Sequence, residues 1–156
     1  FTYNEPLVGW EYVRDTAKLV KEAGMKNVIV TNGTASLEVL EEILPYIDAM
    51  NIDLKGFRDD YYRRLGGQLD PVLALIRRAA QSCHVELTTL IVPGENDDPA
   101  QMEELAKWAG PDIPLHVTRF FPRYHMTEKD ATDVQQVYWL ANLAGKYVQH
   151  VFVGNC

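Results

Sequence analysis

Short apolar runs rich in β-branched residues alternate along the chain with longer segments in which apolar residues recur every three or four positions. The short runs predict β-strands, and the longer segments predict helices. The predicted strands cover residues 1–3, 27–31, 49–54, 85–92, 115–118 and 148–153. This alternation is typical of an α/β fold in which repeated βα units build a parallel sheet or barrel.

The helix boundaries carry their own signals. The apolar stripe of the first predicted helix stops at Gly24, and Ser36 is the predicted N-cap of the second helix. Acid–proline pairs at 70–71 and 98–99 predict two further helix starts, with the acid as the cap and the proline at the first helical position.

The last third of the chain contains one long irregular connection, residues 120–131. Its length is typical of a lid or a binding loop. The long helix that follows is predicted to start near Thr132, with Gln135 placed to complete a capping box.

Composition narrows the classes of protein to consider. The sequence has 156 residues, 47% of them hydrophobic, a net charge of −7 and two cysteines. This length predicts a single domain over residues 1–156. Lys and Arg are scattered among acids, which argues against a nucleic-acid partner. No apolar run approaches the roughly 20 residues of a membrane span and no secretory signal is recognisable, so we expect no membrane partner and a cytoplasmic location.

Polar residues follow the ends of the first five predicted strands. In a parallel α/β sheet or barrel these strand ends gather on one face, where ligands bind. The ring of donors, acceptors and one ammonium suits a zwitterionic or ribose-bearing ligand. Each corner alone is also explained by turn chemistry or, for Asp53 and Lys55, by a mutual salt bridge. The corners are Asn4-Glu5, Thr31-Asn32-Gly33, Asp53-Leu54-Lys55, Pro93-Gly94-Glu95-Asn96 and Thr118-Arg119.

Several short motifs at these corners resemble those of radical S-adenosylmethionine (SAM) enzymes of the pyruvate-formate-lyase-activating type, in particular the AmmeMemoRadiSam group. The resemblance covers essentially the whole chain and implies a partial (β/α)6 TIM-like barrel that lacks its first βα unit. It also implies an enzyme that reductively cleaves SAM to a 5′-deoxyadenosyl radical for hydrogen abstraction. The motifs are TYNEP at 2–6, VTNG at 30–33, NIDLK at 51–55, LIVPGENDD at 90–98, RFFP at 119–122 and VGN at 153–155.

The resemblance implies a role for each corner in SAM binding. The first corner corresponds to the one that binds the SAM ammonium, and an acceptor at Glu5 with a cation at Lys55 suits an amino acid that carries both charges on one carbon. The second and third corners correspond to those that reach the ribose and the methionine carboxylate, and the fourth lies beside the adenine. The implied cofactor-binding residues are Asn4, Glu5, Thr31, Asn32, Asp53, Lys55, Pro93, Gly94 and His125, with Tyr124 as the alternative to His125.

The family also uses a 4Fe–4S cluster held by three cysteines in C-x3-C-x2-C spacing, which the resemblance places before the first corner. Cys83 and Cys156 do not have this spacing, so we predict no metal ligands in the sequence. We therefore expect residues 1–156 to be a fragment that keeps much of the SAM pocket, lacks the cluster and is inactive alone.

The resemblance further implies an electron donor such as flavodoxin or ferredoxin, and a glycyl-radical enzyme as one candidate protein substrate. Two other interpretations stay open. In the first, an aldolase-like barrel enzyme uses Lys55 as a Schiff-base lysine assisted by Asp53. In the second, the chain is a non-catalytic module that docks a partner protein.

Overall fold

The computed structural model describes all residues from 1 to 156 and contains six α-helices and five β-strands. The elements follow one another as α1 (Trp10–Glu22), β1 (Val28–Thr31), α2 (Leu37–Ile43), β2 (Ala49–Asp53), α3 (Asp59–Arg64), α4 (Leu69–Ala80), β3 (His84–Ile91), α5 (Pro99–Ala109), β4 (Leu115–Arg119), α6 (Val134–Ala144) and β5 (Val151–Gly154). A 3₁₀ turn over Pro6–Gly9 precedes α1, and another over Leu44–Tyr46 follows α2.

The strands form a five-stranded sheet in the order in which they occur along the chain. β1 pairs with β2 in parallel, from Val28 opposite Ala49 to Thr31 opposite Ile52. β4 pairs in parallel with both β3 and β5. A chain-order sheet without a reversal is the winding of a βα barrel, whereas a doubly wound sheet reverses its strand order. The predicted α/β fold of repeated βα units, a partial TIM-like barrel, is confirmed.

The chain divides into two compact units. The first comprises residues 1–53 and 67–86, and the second comprises residues 54–66 and 87–156. The expected single domain over 1–156 stays a prediction.

In the first unit, helices α1, α2 and α4 pack against one another, α1 on α2 and α2 on α4. Strand β1 alternates between buried Ile29 and Thr31 and half-exposed Val28 and Val30. Because successive side chains of a strand point to opposite faces, one face of β1 is buried and the other stays accessible.

In the second unit, α6 packs on α5, β4 and β5. Leu115 and Val117 of β4 are fully buried, whereas the intervening His116 is partly exposed and stacks on Phe152 of β5, with 5.1 Å between ring centroids. The helix-facing side of these strands is therefore apolar, and the opposite side carries polar and aromatic groups.

Several helix starts follow the sequence signals. Ser36 accepts a hydrogen bond from the Val39 amide, and Asp98 accepts one from the Ala100 amide, so both predicted caps are confirmed. The helix predicted to begin after Asp70 begins earlier, at Leu69, and Asp70 lies in its first turn, where a carboxylate favours the helix dipole. The cap of α6 is Asp133 and not Thr132, because Thr132 uses its hydroxyl elsewhere.

The predicted strand over residues 1–3 is wrong as a strand, although Phe1 pairs with the edge of β1. The Val30 amide donates to the Phe1 carbonyl at 2.9 Å, and the Phe1 amino group donates to the Val28 carbonyl at 2.5 Å. Tyr3 then adopts a left-handed φ of 50°, which turns the chain away from an extended course.

Gly33 combines a left-handed φ of 72° with a lack of space. A Cβ atom there would lie 2.9 Å from Cγ2 of Ile52 and 3.2 Å from Cγ1 of Val72. Gly24 has a similar φ of 76°, with nothing within 4 Å of such an atom.

We expect Gly33→Ala to lower the free energy of unfolding by about 2–4 kcal/mol, because strain and overpacking add. The matched variant Gly24→Ala has only the conformational cost, about 1 kcal/mol. Urea unfolding of both variants measures the difference. Equal losses would contradict the packing account of Gly33.

Candidate functional site

The carboxylate of Glu5 joins the first two polar corners in the first unit. Its Oε1 atom accepts hydrogen bonds from the Leu7 amide at 3.1 Å and from Oγ1 of Thr31 at 2.6 Å. Its Oε2 atom accepts one from the Asn32 amide at 2.7 Å. Glu5 thereby caps the 3₁₀ turn at Pro6 and fastens it to the end of β1.

The corner after β1 is itself ordered by short-range hydrogen bonds. The Thr31 hydroxyl, which is buried, accepts from the Gly33 amide at 3.1 Å while it donates to Glu5. Oδ1 of Asn32 accepts from both the amide and the hydroxyl of Thr34, at 3.0 and 2.6 Å. These bonds leave the Nδ2 amide group of Asn32 without a protein partner.

A cleft of about 210 Å³ lies beside this carboxylate, lined by Glu5, Leu7, Val8, Thr34 and Ala35. A carboxylate has about four acceptor positions, and three of those on Glu5 are used by the protein. The remaining position, on Oε2, suits an ammonium donor. The chemistry of this corner therefore fits the amino group of SAM.

Asp53 ends β2 in the same unit, one residue after Ile52, which is paired with Thr31. The Asn32 corner and Asp53 therefore leave adjacent strands at the same level. The structure thus places the predicted residues Glu5, Thr31, Asn32 and Asp53 along neighbouring strand ends of the first unit, with Asn4 next to Glu5 in the chain.

In the second unit, Lys55 belongs to a backbone stretch that we call the Lys55 segment, residues 54–57. Four side chains bind its peptide groups. Oγ1 of Thr89 donates to the Leu54 carbonyl, and Nδ2 of Asn96 donates to the Lys55 carbonyl. The Lys55 amide donates to the Tyr62 hydroxyl, and the Phe57 amide donates to Oε1 of Gln101. All four side chains are buried: Tyr62, Thr89, Asn96 and Gln101.

The sequence analysis listed Asn96 in the fourth corner without assigning it a binding role, and it did not single out the other three, although two of those carry a signal. Thr89 interrupts the apolar face of β3 between Leu87 and Ile91, and Gln101 precedes the buried Met102 on the apolar side of α5. A polar residue on an apolar face must find a hydrogen-bond partner. Asn96 lies in an ordinary turn sequence, which hides its role.

The corner at Pro93 and Gly94 is held to the connection 120–131 by charge. Nζ of Lys129 donates to the Pro93 carbonyl at 2.8 Å and pairs with Oε1 of Glu95 at 3.1 Å. Nη2 of Arg64 pairs with the other oxygen of Glu95 at 2.9 Å. These cations, Lys129 first, hold the pKa of Glu95 below its usual value against the opposing effect of burial.

The far end of the same connection is fixed by Thr132. Its hydroxyl donates to the Ile91 carbonyl at 2.6 Å and accepts from the Phe120 amide at 3.2 Å, and its own carbonyl accepts from Nε of Arg119 at 2.7 Å. Between Phe120 and Thr132 the chain has no helix or strand, as predicted.

Tyr124 and His125 are both exposed within this connection, and their ring centroids are 3.8 Å apart. Tyr124 has a left-handed φ of 55°. The choice between the two residues as a ligand contact stays open, and a role of His125 in cofactor binding stays a prediction.

The structure brings Glu5, Thr31 and Asn32 into direct contact, and it ties the Lys55 segment to the Pro93 corner through Asn96. Glu5 and Lys55 belong to different units. Their convergence on one ligand stays a prediction.

The residues present do not fit an iron–sulfur cluster. Cys83 is partly buried, with Sγ 3.6 Å from the Ala79 carbonyl, and burial raises its thiol pKa. Cys156 is exposed and lies two residues after the end of β5 in the second unit. No group of three or more His, Cys, Asp or Glu residues within 1–156 is arranged to hold a metal ion. None of the helices combines the length and the apolar character that crossing a bilayer requires.

Residues 1–109 match the family model described as the Radical SAM superfamily. The chain is also 37% identical, over 161 aligned positions, to the uncharacterized protein MJ0808 of Methanocaldococcus jannaschii. That alignment covers 99% of this chain and 48% of the relative, so the chain spans about half the relative's length.

Two solved structures share the fold. A domain of pyruvate-formate lyase-activating enzyme from Bacteroides vulgatus superposes with a TM-score of 0.85 at 18% identity, covering 99% of this chain and 97% of that one. A structure of TYW1 with a lysine-pyruvate adduct bound superposes with a TM-score of 0.70 at 22% identity, covering 91% of this chain and 47% of that one.

The Glu95 ion pairs predict a pH dependence of stability. The pKa of Glu95 is lower in the folded state than its ordinary value, so the ionised carboxylate stabilises the fold. This stabilisation is fully present above the ordinary carboxyl pKa, and it is lost as the pH falls through the pKa of the folded state. We expect Lys129→Met to lower the free energy of unfolding at pH 7 by up to about 1 kcal/mol. The variant should then lose less stability than the unsubstituted chain on acidification.

The measurement is urea unfolding at pH 7 and at about pH 3. Arg123→Met makes the same charge change at an exposed position that has no ion pair, and this variant should lose as much stability on acidification as the unsubstituted chain does. If Lys129→Met loses as much unfolding free energy between pH 7 and about pH 3 as the unsubstituted chain, the stabilising role of the Glu95 ion pairs is contradicted.

Proposed function

The chain belongs to the radical SAM superfamily, and we propose that its strand-end corners bind SAM as part of an enzyme of the activating type. The observation that carries this proposal is the Glu5 carboxylate. Three hydrogen bonds hold it beside a cleft, and one acceptor position remains for an ammonium. A charged acceptor that is already oriented binds such a donor without having to be ordered first.

The other corners complement this anchor. Lys55 supplies a cation for the methionine carboxylate. Asn32 supplies an amide donor, and Asp53 a carboxylate acceptor, for the ribose hydroxyls. Pro93 and Gly94 form the wall beside the adenine, and His125 is a further contact from the long connection. The support for these roles is that Asn32 and Asp53 follow or end strands of the first unit, and that Pro93 and Gly94 follow β3 in the second unit.

Radical SAM chemistry supplies a 5′-deoxyadenosyl radical, formed by one-electron reduction of the SAM sulfonium and used for hydrogen abstraction. We propose that the whole protein performs this reaction. Cys83 and Cys156 do not provide three thiolates, so no electron-transfer step is assigned to residues of this chain. Its own residues bind and orient the SAM amino acid and nucleoside.

The activating type is supported by the extent of the likeness to the activating-enzyme domain, which covers nearly all of both chains. On this basis we propose a glycyl-radical protein as substrate. We also propose a one-electron donor of the flavodoxin or ferredoxin kind, with the reaction taking place in the cytoplasm.

The SAM site is tested by charge removal in the full-length protein. Glu5→Gln and Lys55→Met should each weaken SAM binding about 10- to 100-fold, because each removes a charge-assisted hydrogen bond of about 1.5–3 kcal/mol. Isothermal titration calorimetry measures the dissociation constants.

The matched control is Glu11→Gln, which removes an exposed acid from the first turn of α1 and should leave SAM binding unchanged. Catalysis is measured separately, as 5′-deoxyadenosine released after anaerobic reconstitution with iron and sulfide and reduction. Unchanged SAM affinity in both charge variants would overturn the assigned site, and absence of 5′-deoxyadenosine with several reductants would overturn the reaction.

A second candidate function is favoured by one comparison, the lysine-pyruvate adduct in the TYW1 structure. We propose as the alternative that Lys55 forms an imine with a 2-oxo acid, its amine condensing with the ketone carbonyl and releasing water. Borohydride in the presence of pyruvate should then add the mass of the reduced adduct to Lys55 and not to the exposed Lys146. No adduct on Lys55 rejects this alternative.

A further inference from the structure

Both peptide groups next to the Lys55 Cα atom are bound by buried side chains of the second unit. The Lys55 amide donates to the Tyr62 hydroxyl at 3.1 Å, and the Lys55 carbonyl accepts from Nδ2 of Asn96 at 2.6 Å. Tyr62 is 3% exposed and Asn96 is 2% exposed. The backbone is therefore fixed on both sides of the atom from which the lysine side chain leaves.

Asn96 uses both of its side-chain donors and its acceptor oxygen. Its Nδ2 donates to the Lys55 carbonyl and also to the Leu90 carbonyl at 2.8 Å, and its Oδ1 accepts from the Val92 amide at 2.7 Å. A buried amide whose donors and acceptor are all engaged cannot turn without leaving a polar group unpaired. Asn96 therefore fixes the position of the Lys55 backbone relative to the end of β3.

The next residues remove the remaining freedom of the segment. A Cβ atom at Gly56 would lie 2.8 Å from Oε1 of Gln101 and 2.9 Å from Cδ1 of Tyr61, and the same Gln101 oxygen accepts from the Phe57 amide at 2.6 Å. The segment therefore has no room for a side chain at Gly56, and its next amide is bound by a buried side chain.

We propose that Asn96 and Tyr62 are positioning residues for Lys55: they fix its backbone so that the ammonium stands where the SAM carboxylate binds. This inference rests on the proposed function of Lys55. A lysine side chain has large rotamer freedom, so fixing its origin is the means by which the fold limits where its charge can go. Small displacements of such a group weaken binding strongly.

Asn96→Asp is the informative substitution, because it keeps the size of the side chain and replaces the donor nitrogen with an acceptor that faces two carbonyl oxygens. The chain offers a matched control. Nδ2 of Asn27, also 2% exposed, donates to the carbonyls of Ala17 and Tyr46 at 2.9 and 3.0 Å at the start of β1. Asn27→Asp therefore makes the same chemical change away from the Lys55 segment.

The test is a double-mutant cycle in the full-length protein, with SAM binding measured by calorimetry. Asn96→Asp should weaken SAM binding by about tenfold or more when Lys55 is present. In the Lys55→Ala background it should have little further effect, because the group it positions is gone. Asn27→Asp should lower the melting temperature comparably and leave SAM affinity unchanged in both backgrounds.

A purely structural role gives a different result. The inference is overturned if Asn96→Asp lowers only the melting temperature, or if its effect on affinity is the same with and without Lys55. If Asn96→Asp does not fold, Tyr62→Phe replaces it in the same cycle, since it removes only the oxygen that accepts from the Lys55 amide.

A second measurement separates this inference from the proposed function. If the unsubstituted full-length protein does not bind SAM, the proposed function fails, and the positioning role is then judged by acetylation of Lys55 with a small neutral acylating reagent, followed by mass spectrometry. Asn96→Asp should change the rate at Lys55 relative to the exposed Lys146, and Asn27→Asp should not. Equal relative rates in all three proteins reject the positioning role.

Discussion

The structure depends on how peptide groups are bonded where the chain leaves a strand. Within the sheet, neighbouring strands satisfy amides and carbonyls, but at a strand end these groups turn inward without a ladder partner, and an unpaired buried peptide group costs about 1–3 kcal/mol. Here buried polar side chains bind them. Thr89 and Asn96 bind the Lys55 segment, and Thr132 binds the end of β3. The corners that carry the candidate ligand groups are thereby rigid, although they are loops.

Glu5 shows how one group can serve both folding and binding. Its carboxylate is bound by two amides and a hydroxyl, which lower the cost of partial burial, and the same bonds fix the direction of the acceptor position that remains. A ligand ammonium therefore meets an acceptor that is already in place. The structural role of Glu5 and its proposed binding role are consequences of one arrangement, so variants at this position have to be read through both stability and affinity.

The sequence predicted the elements well where periodicity or a cap is unambiguous, as for the stripe of α1 and the caps at Ser36 and Asp98. It failed where tertiary contacts decide the outcome. Thr132 has the sequence of a cap but binds the Ile91 carbonyl, which leaves the cap of α6 to Asp133. The corner residues could be listed because strand ends of a βα fold share a face. The role of Asn96 could not, because the Lys55 carbonyl that it binds lies 41 residues away in the chain, where no local pattern reports it.

Asn27 and Asn96 each donate two hydrogen bonds from a buried side-chain amide to backbone carbonyls, at opposite ends of a strand. Asn27 binds the carbonyls of Ala17 and Tyr46 at the start of a strand, where no ligand group follows. Asn96 binds carbonyls at the end of a strand, and one of them belongs to a lysine. The hydrogen bonds alone therefore do not distinguish a structural clamp from a positioning one. The two roles differ in whether the bound residue carries a ligand-binding group. A role in binding is therefore identified by an effect on SAM affinity that depends on Lys55, and not by a loss of stability.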